Sequence, residues 1–271
     1  MDANAVDWTS LAAPATAAPD QPEGLRERKK RLMRAQLSAT ATQMFLDRGF
    51  DAVRVSEVAA ACGVSEKTVF NYFPTKESLL LDRWDATMAS LPTALAQPGV
   101  SPVEAALRVL ESEAAGMTAW LESQDDPVEA SAMIRRFGDL SRASPSLRAH
   151  QRDMMDRLIA TAAEVLAQRQ GVSPDDPEPQ IVAAALLGLW DVQSRGLSLY
   201  LDGASTPRQL EESVITYVRR AAHVLESGFS SMPVAGGDPN ADPGALATAR
   251  PGGPDGPDGP DGTDSAGPRA C

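Results

Sequence analysis

A chain of 271 residues with 37 acidic and 25 basic side chains, a formal net charge of −12, is long enough to bury a sizeable core in one or two domains. Two cysteines and two histidines imply neither a disulfide framework nor a metal site. No run approaches the roughly 18 apolar residues of a membrane span, and the opening MDANAVDWTSLAAPATAAPD is acidic where a secretory signal is basic, so a cytoplasmic location is expected.

Residues 1–23, rich in Ala, Pro and Asp without periodicity, read as a disordered extension. The charge then changes sign. Residues 24–90 hold 11 basic and 8 acidic side chains, a net of +3, so −15 lies elsewhere. A basic segment on an acidic chain suits local contact with a polyanion and disfavours indiscriminate wrapping of it. The cluster Arg26 to Arg34 opens a long amphipathic helix, where it could neutralise phosphates or reach a minor groove.

The most informative stretch is VSEVAAACGVSEKTVFNYF, Val55 to Phe73. Val58 and Cys62 lie one turn apart on a first short helix, and Ala59 is small enough for a second helix to cross closely. Gly63 permits a turn, Val64 fills the junction, and Ser65 is placed to cap the next helix by accepting from a free backbone N–H. At about 100° per residue, a helix that buries Val69 also buries Phe73 and turns Lys67 and Asn71 outward. Phe70, Thr68 and Tyr72 flank that outward face, offering a ring for a thymine methyl and hydroxyls for phosphates. This is the pattern of a helix-turn-helix.

The flanks extend the pattern. An alanine-rich first helix ends in Phe45, Arg48 and Gly49-Phe50; then come Val58-Ala59, Gly63-Val64-Ser65, Thr68-Val69-Phe70, Tyr72-Phe73, Lys76-Glu77 and Leu79-Leu80. In the order and spacing of these residues, the segment 26–82 resembles the TetR family of bacterial transcriptional regulators. Arg54 departs from the pattern, because the family usually has Thr or Ser there to cap the second helix; Arg54 either contacts a phosphate or stays solvated. The resemblance and the helical face together nominate Arg54, Ser56, Ser65, Glu66, Lys67, Thr68, Phe70, Asn71, Tyr72 and Lys76 as the DNA-contacting set. Within it Lys67 and Asn71 are expected to read base edges, and Thr68, Tyr72 and Lys76 to hold the backbone. Glu66 either accepts from a cytosine amine or favours the helix N-terminus.

Beyond Thr75 a fourth helix is expected from Lys76 to about Ala96, followed by helices over about 101–122, 127–142, 145–170, 178–202 and 207–228, separated by Gly- and Pro-bearing breaks. No convincing strand is present, so the fold class is all-α: an N-terminal helix-turn-helix domain over 24–75 and a C-terminal helical regulatory and dimerisation domain over 76–229. The run QIVAAALLGLWDVQSRGLSLYL is the longest apolar stretch, and its small residues suit either a dimer interface or the buried centre of one subunit. The resemblance implies a homodimer through about 178–202 and 207–228. Residues 230–271, ending in GPDGPDGPDGTDSAGPRAC, read as a disordered Pro/Gly/Asp tail.

His150 and His223 belong to no metal-ligand spacing, and no catalytic constellation or cofactor motif is found. The resemblance also implies an effector pocket in the C-terminal helices. Its candidate lining is Trp84, Met88, Met117, Trp120, Met133, Phe137, Trp190 and Gln193, for an apolar or amphipathic small molecule. Gln193 and Arg195 are either polar anchors of that pocket or interhelical contacts. The expected function is a homodimeric repressor on a palindromic double-stranded DNA operator, released by its effector. An activator or ligand-independent regulator is the alternative, as is a small-molecule or protein binding module with secondary DNA binding.

Overall fold

The computed structural model describes residues 24–201 and 203–228, and of residues 82–89 the backbone alone. The expected terminal extension and tail lie outside the described residues. Those described form α1 (Leu25–Arg48), α2 (Val55–Ala61), α3 (Glu66–Tyr72), α4 (Lys76–Leu95), α5 (Pro102–Glu122), α6 (Pro127–Ala143), α7 (Pro145–Gln170), α8 (Pro177–Tyr200) and α9 (Pro207–Ser227), with no strand among them. The fold is all-α, an N-terminal helix-turn-helix head with a C-terminal helical body. Helices α5 to α9 each begin at a proline, whose missing N–H costs nothing in the first turn and whose fixed φ suits it. Ser101, Asp126 and Thr206 cap three of these starts by accepting backbone N–H groups with their side-chain oxygens.

Two apolar cores organise the chain. In the head, Leu37, Ala41 and Phe45 of α1 meet Val55, Val58 and Ala59 of α2, Val69 of α3, and Phe50, Val53 and Phe73 from the connections. Phe45 and Phe50 pack with ring centroids 4.9 Å apart and planes tilted by 54°. In the body, α5, α7, α8 and α9 bury Leu110, Leu121, Leu166, Leu186, Trp190, Val214 and Val218 together. At Gly196 of α8 a Cβ would stand 3.2 Å from the Tyr217 ring of α9, so the absent side chain lets that ring pack close.

Helix α4 belongs to both cores. Leu79, Leu80 and Leu81 are buried in the head, whereas Leu91 and Leu95 are buried in the body. The division expected at residue 75/76 is therefore not a packing boundary, because the first turns of α4 complete the head. The body also reaches the head from the other side, since Leu147 of α7 is buried in the head core and Phe137 and Leu140 of α6 pack against it.

Candidate nucleic-acid interface

The geometry of the head follows from its turn. The Gly63 N–H donates to the Ala60 carbonyl at 3.1 Å and the Val64 N–H to the Ala59 carbonyl at 3.0 Å, which closes α2. Gly63 takes φ +67, where a Cβ would be strained. Ser65 then opens α3: its Oγ accepts from the Thr68 N–H at 3.1 Å and lies 2.8 Å from the Thr68 hydroxyl. Val69 and Phe73 face inward with almost no exposure. Glu66, Lys67, Phe70 and Asn71 are exposed on the other side, Phe70 with 44 % of its surface in solvent. A phenyl ring left in water beside a lysine and an amide offers the apolar and hydrogen-bonding groups that base edges can meet. Thr68 and Tyr72 flank it half-buried, and Ser56 and Arg54 are exposed at the start of α2.

Arg54 has no side-chain acceptor and makes no side-chain cap. The start of α2 is secured from the opposite direction, by Glu57 Oε2, which accepts from the Arg54 N–H at 2.7 Å while its Oε1 accepts from Arg48 at 2.8 Å. That backbone bond, then the Arg48 bond, hold the Glu57 carboxyl below its ordinary pKa. The Arg54 guanidinium is left exposed.

Two cations read from sequence as phosphate contacts are instead turned inward. Lys76 Nζ donates to the Phe50 carbonyl at 2.6 Å and sits 4.4 Å from the Phe50 ring centroid and 5.6 Å from that of Phe45. Desolvation lowers its pKa despite opposing contributions from Asp51, Glu77 and Glu57. Its ammonium ties the loop after α1 to the start of α4. Arg34, counted in the basic cluster, donates from Nη1 to the Tyr72 carbonyl at 2.7 Å and lies over the Phe73 ring at 4.6 Å. It thereby binds the C-terminal end of α3, whose last carbonyls lack helical partners, to α1. Ser38 makes a third tie, donating to the Leu79 carbonyl of α4 at 3.1 Å. Sequence reasoning missed Arg34 and Ser38 as positioning groups; their one-dimensional signal is their place, one helical turn apart, on the buried side of α1.

The residues proposed for an effector pocket do not share one environment. The side chains of Trp84 and Met88 lie outside the described residues. Trp120 and Trp190 are buried in the body core and Met117 packs against it, while Met133 is also buried. Phe137 packs on the head core instead, because α6 crosses toward α1. Gln193 is buried and donates to the Leu110 carbonyl of α5 at 3.1 Å, an interhelical bond. Arg195 is exposed and pairs with Asp191 one turn earlier at 2.9 Å, so it is not an anchor inside an apolar helix. A shallow groove on the outer side of α8 and α9 is lined by Tyr200, Glu212, Ser213, Thr216, Tyr217 and Arg220, none of which was expected in a pocket.

The most unusual side chain of the body was not anticipated. Glu113 of α5 sits between α5 and α8, where Trp190 Nε1 donates to both carboxylate oxygens at 3.2 Å. Burial pushes its pKa up to about 7, against the smaller lowering from the Trp190 bond. Its sequence signal was available: Leu110, Glu113, Ala114 and Met117 follow the 3, 4, 7 spacing of an apolar stripe that one carboxylate interrupts. No group of three or more His, Cys, Asp or Glu among the described residues is placed to hold a metal ion, and no described helix is long and apolar enough to cross a membrane.

A capped, exposed helix held by a tight turn against two others, joined through α4 to a helical body, is the architecture of a helix-turn-helix DNA-binding regulator. The family model for bacterial regulatory proteins of the tetR family matches residues 37–82, and that for the MftR C-terminal domain matches residues 102–195. The chain is 28% identical over 208 residues to the HTH-type transcriptional regulator TcmR of Streptomyces glaucescens, covering 73% of this chain and 87% of that protein. It is 24% identical over 153 residues to a candidate mycofactocin biosynthesis transcriptional regulator, MftR, of Mycobacterium tuberculosis, covering 56% of this chain and 73% of that protein. Among solved structures, a candidate TetR-family regulator from Mesorhizobium loti MAFF303099 is 19% identical with a TM-score of 0.41, over 74% of this chain and 98% of that one. The chain belongs to the TetR family and is a DNA-binding transcriptional regulator.

Proposed function

We propose that this regulator is a homodimeric repressor that reads a palindromic operator through α3 and is released by a small molecule bound in its body. The observation that carries the reading is the face of α3, which exposes Lys67, Phe70 and Asn71 while Val69 and Phe73 fasten it from behind. In the proposed complex Lys67 and Asn71 meet base edges and Phe70 meets a thymine methyl. Ser56, Ser65, Thr68 and Tyr72 lie beside the phosphates, with the exposed Arg54 and the α1 cations Arg26, Arg28, Lys29 and Lys30 in reach of the backbone.

Dimerisation is supported by the outer face of α8, where Ile181, Ala184, Gly188, Arg195 and Leu199 recur at helical spacing and are exposed. Ile181 and Leu199 leave 67% and 62% of their surface open, while Ala184 and Gly188 give a partner helix room to approach. The reading of an effector-released regulator without catalytic activity draws on the family and on the absence of any convergent reactive constellation in the sequence. Release requires the effector to bind two states unequally, and a hundredfold change in operator affinity corresponds to about 2.7 kcal/mol of coupling. Helix α4, buried at one end in each core, is the element able to transmit it.

The test is selection of genomic fragments by the purified protein, followed by footprinting with and without a metabolite extract. The reading expects a palindrome whose half-sites are centred about one helical turn, or a multiple of it, apart, and a footprint that the extract removes. No enriched sequence, or an asymmetric single site bound by a monomer, would refute it.

A further inference from the structure

The first two turns of α1 are a cationic surface that nothing in the head covers. Every residue from Leu25 to Leu32 is exposed, and the buried residues of α1 begin only at Leu37. These turns hold Arg26, Arg28, Lys29, Lys30 and Arg31 against the single carboxylate of Glu27. The five cations repel one another, and they sit at the helix end where the peptide dipoles already disfavour positive charge. The residues that precede them in the chain have the opposite sign. Residues 1–23 lie outside the described residues, and their sequence has Asp2, Asp7, Asp20 and Glu23 with no lysine or arginine. Length sets no limit on contact between the two: 23 extended residues reach roughly 75 Å, several times the ~12 Å of helix from Leu25 to Leu32. Asp255, Asp258, Asp261 and Asp264 bring the same charge to the other end of the sequence, but they follow α9 and are not joined directly to α1.

We propose that the acidic segment 1–23 docks on the first two turns of α1 and competes there with DNA phosphates, an electrostatic brake carried by the chain itself. The competition rests on the reading that the α1 cations lie in reach of the DNA backbone. Carboxylates tethered beside α1 meet it at an effective concentration up to roughly millimolar, so exposed ion pairs that are individually weak are held together by the covalent link. A duplex must displace them to use the same cations. Each displaced carboxylate gathers counterions again while the DNA releases its own, so the brake acts most strongly at low salt and flattens the salt dependence of binding.

The test compares three full-length chains on one arbitrary DNA duplex by fluorescence anisotropy over a range of salt. They are the unaltered chain, an arm variant (Asp2→Asn, Asp7→Asn, Asp20→Asn and Glu23→Gln), and a control variant (Asp255→Asn, Asp258→Asn, Asp261→Asn and Asp264→Asn). Each variant raises the formal net charge by four, from −12 to −8. The arm variant should bind at least about fivefold tighter at roughly 50 mM salt, with a steeper salt slope and a gain that vanishes by about 0.5 M, while the control matches the unaltered chain. No gain in the arm variant, or an equal gain in the control, overturns the competition, the second because net charge alone then explains it. Docking is read without DNA, by zero-length carbodiimide coupling and peptide mass spectrometry. Amide links from Asp2 or Asp7 to Lys29 or Lys30 within one chain, lost at about 0.5 M salt, are expected. Absent links, or links that persist at that salt, overturn the docking. Adding Lys29→Gln and Lys30→Gln to the arm variant separates the two claims. If these changes leave DNA affinity intact while the salt-sensitive links form in the unaltered chain, the phosphate reading of α1 falls and the docking stands.

Discussion

Replacing Glu113 by glutamine should abolish a specific component of the protein's pH-dependent stability. The carboxyl titrates at about 7 in the folded chain and at the ordinary 4.5 when unfolding exposes it, so the folded state holds its proton more tightly. Its stabilising contribution is complete below pH 4.5, declines as pH rises through the interval up to 7, and changes no further above it. At 1.36 kcal/mol per pKa unit, integrating the two titrations from pH 5 to pH 8 gives a loss of roughly 2–3 kcal/mol. Trp190 goes on donating to the glutamine carbonyl, so the variant retains the bond and loses only the ionisation. The assay is urea unfolding of both proteins at pH 5 and pH 8, at one protein concentration so that association does not enter the comparison. The gap between variant and wild type should widen in the variant's favour by the same amount, roughly 2–3 kcal/mol, across this range. Parallel pH profiles would show that Glu113 stays ionised or solvated in the fold, and would refute the argument from burial.

Four further outcomes are expected. Lys67→Ala and Asn71→Ala should each cost roughly 1–3 kcal/mol on a selected operator and relax discrimination at particular bases, read by fluorescence anisotropy against single-base variants. Arg34→Met removes the bond to the Tyr72 carbonyl and the contact with Phe73; it should weaken operator binding while leaving the salt dependence unchanged, whereas loss of a true phosphate contact flattens the log–log slope by about 0.9. Lys76→Met should lower thermal stability through the unpaired Phe50 carbonyl, by about 1–3 kcal/mol, and should likewise leave the salt slope intact. Gly63→Ala forces a Cβ into φ +67 and should cost about 1–2 kcal/mol in chemical denaturation.

Much of this fold was legible because its punctuation is local. The expected helices over 127–142 and 145–170 match α6 and α7 within a residue, since prolines at Pro127 and Pro145 start helices whatever surrounds them. The outward face of α3 was legible for the same reason: on a helix of seven residues anchored by Val69, rotation alone decides which side chains face solvent. Tertiary placement was not. Lys76 and Arg34 look like phosphate contacts in one dimension, and only the packed rings of Phe50 and Phe73 reveal what their charges meet. Phe137 reads as body core by its helix, yet α6 crosses to the head. Arg195 sits within an apolar run but on its exposed side, a distinction that needs the faces of α8 assigned. The division of α4 between two cores escaped because a continuous apolar stripe does not record which neighbour covers each turn.

The most direct test of the account measures the pairing between α3 and operator bases by double-mutant cycles, combining Lys67→Ala and Asn71→Ala with substitutions at each position of a selected site. The account predicts coupling of about 1–3 kcal/mol at one or two positions, repeated symmetrically in both half-sites. Additive effects at every position, with no coupling to either side chain, would contradict the claim that this face of α3 reads the DNA.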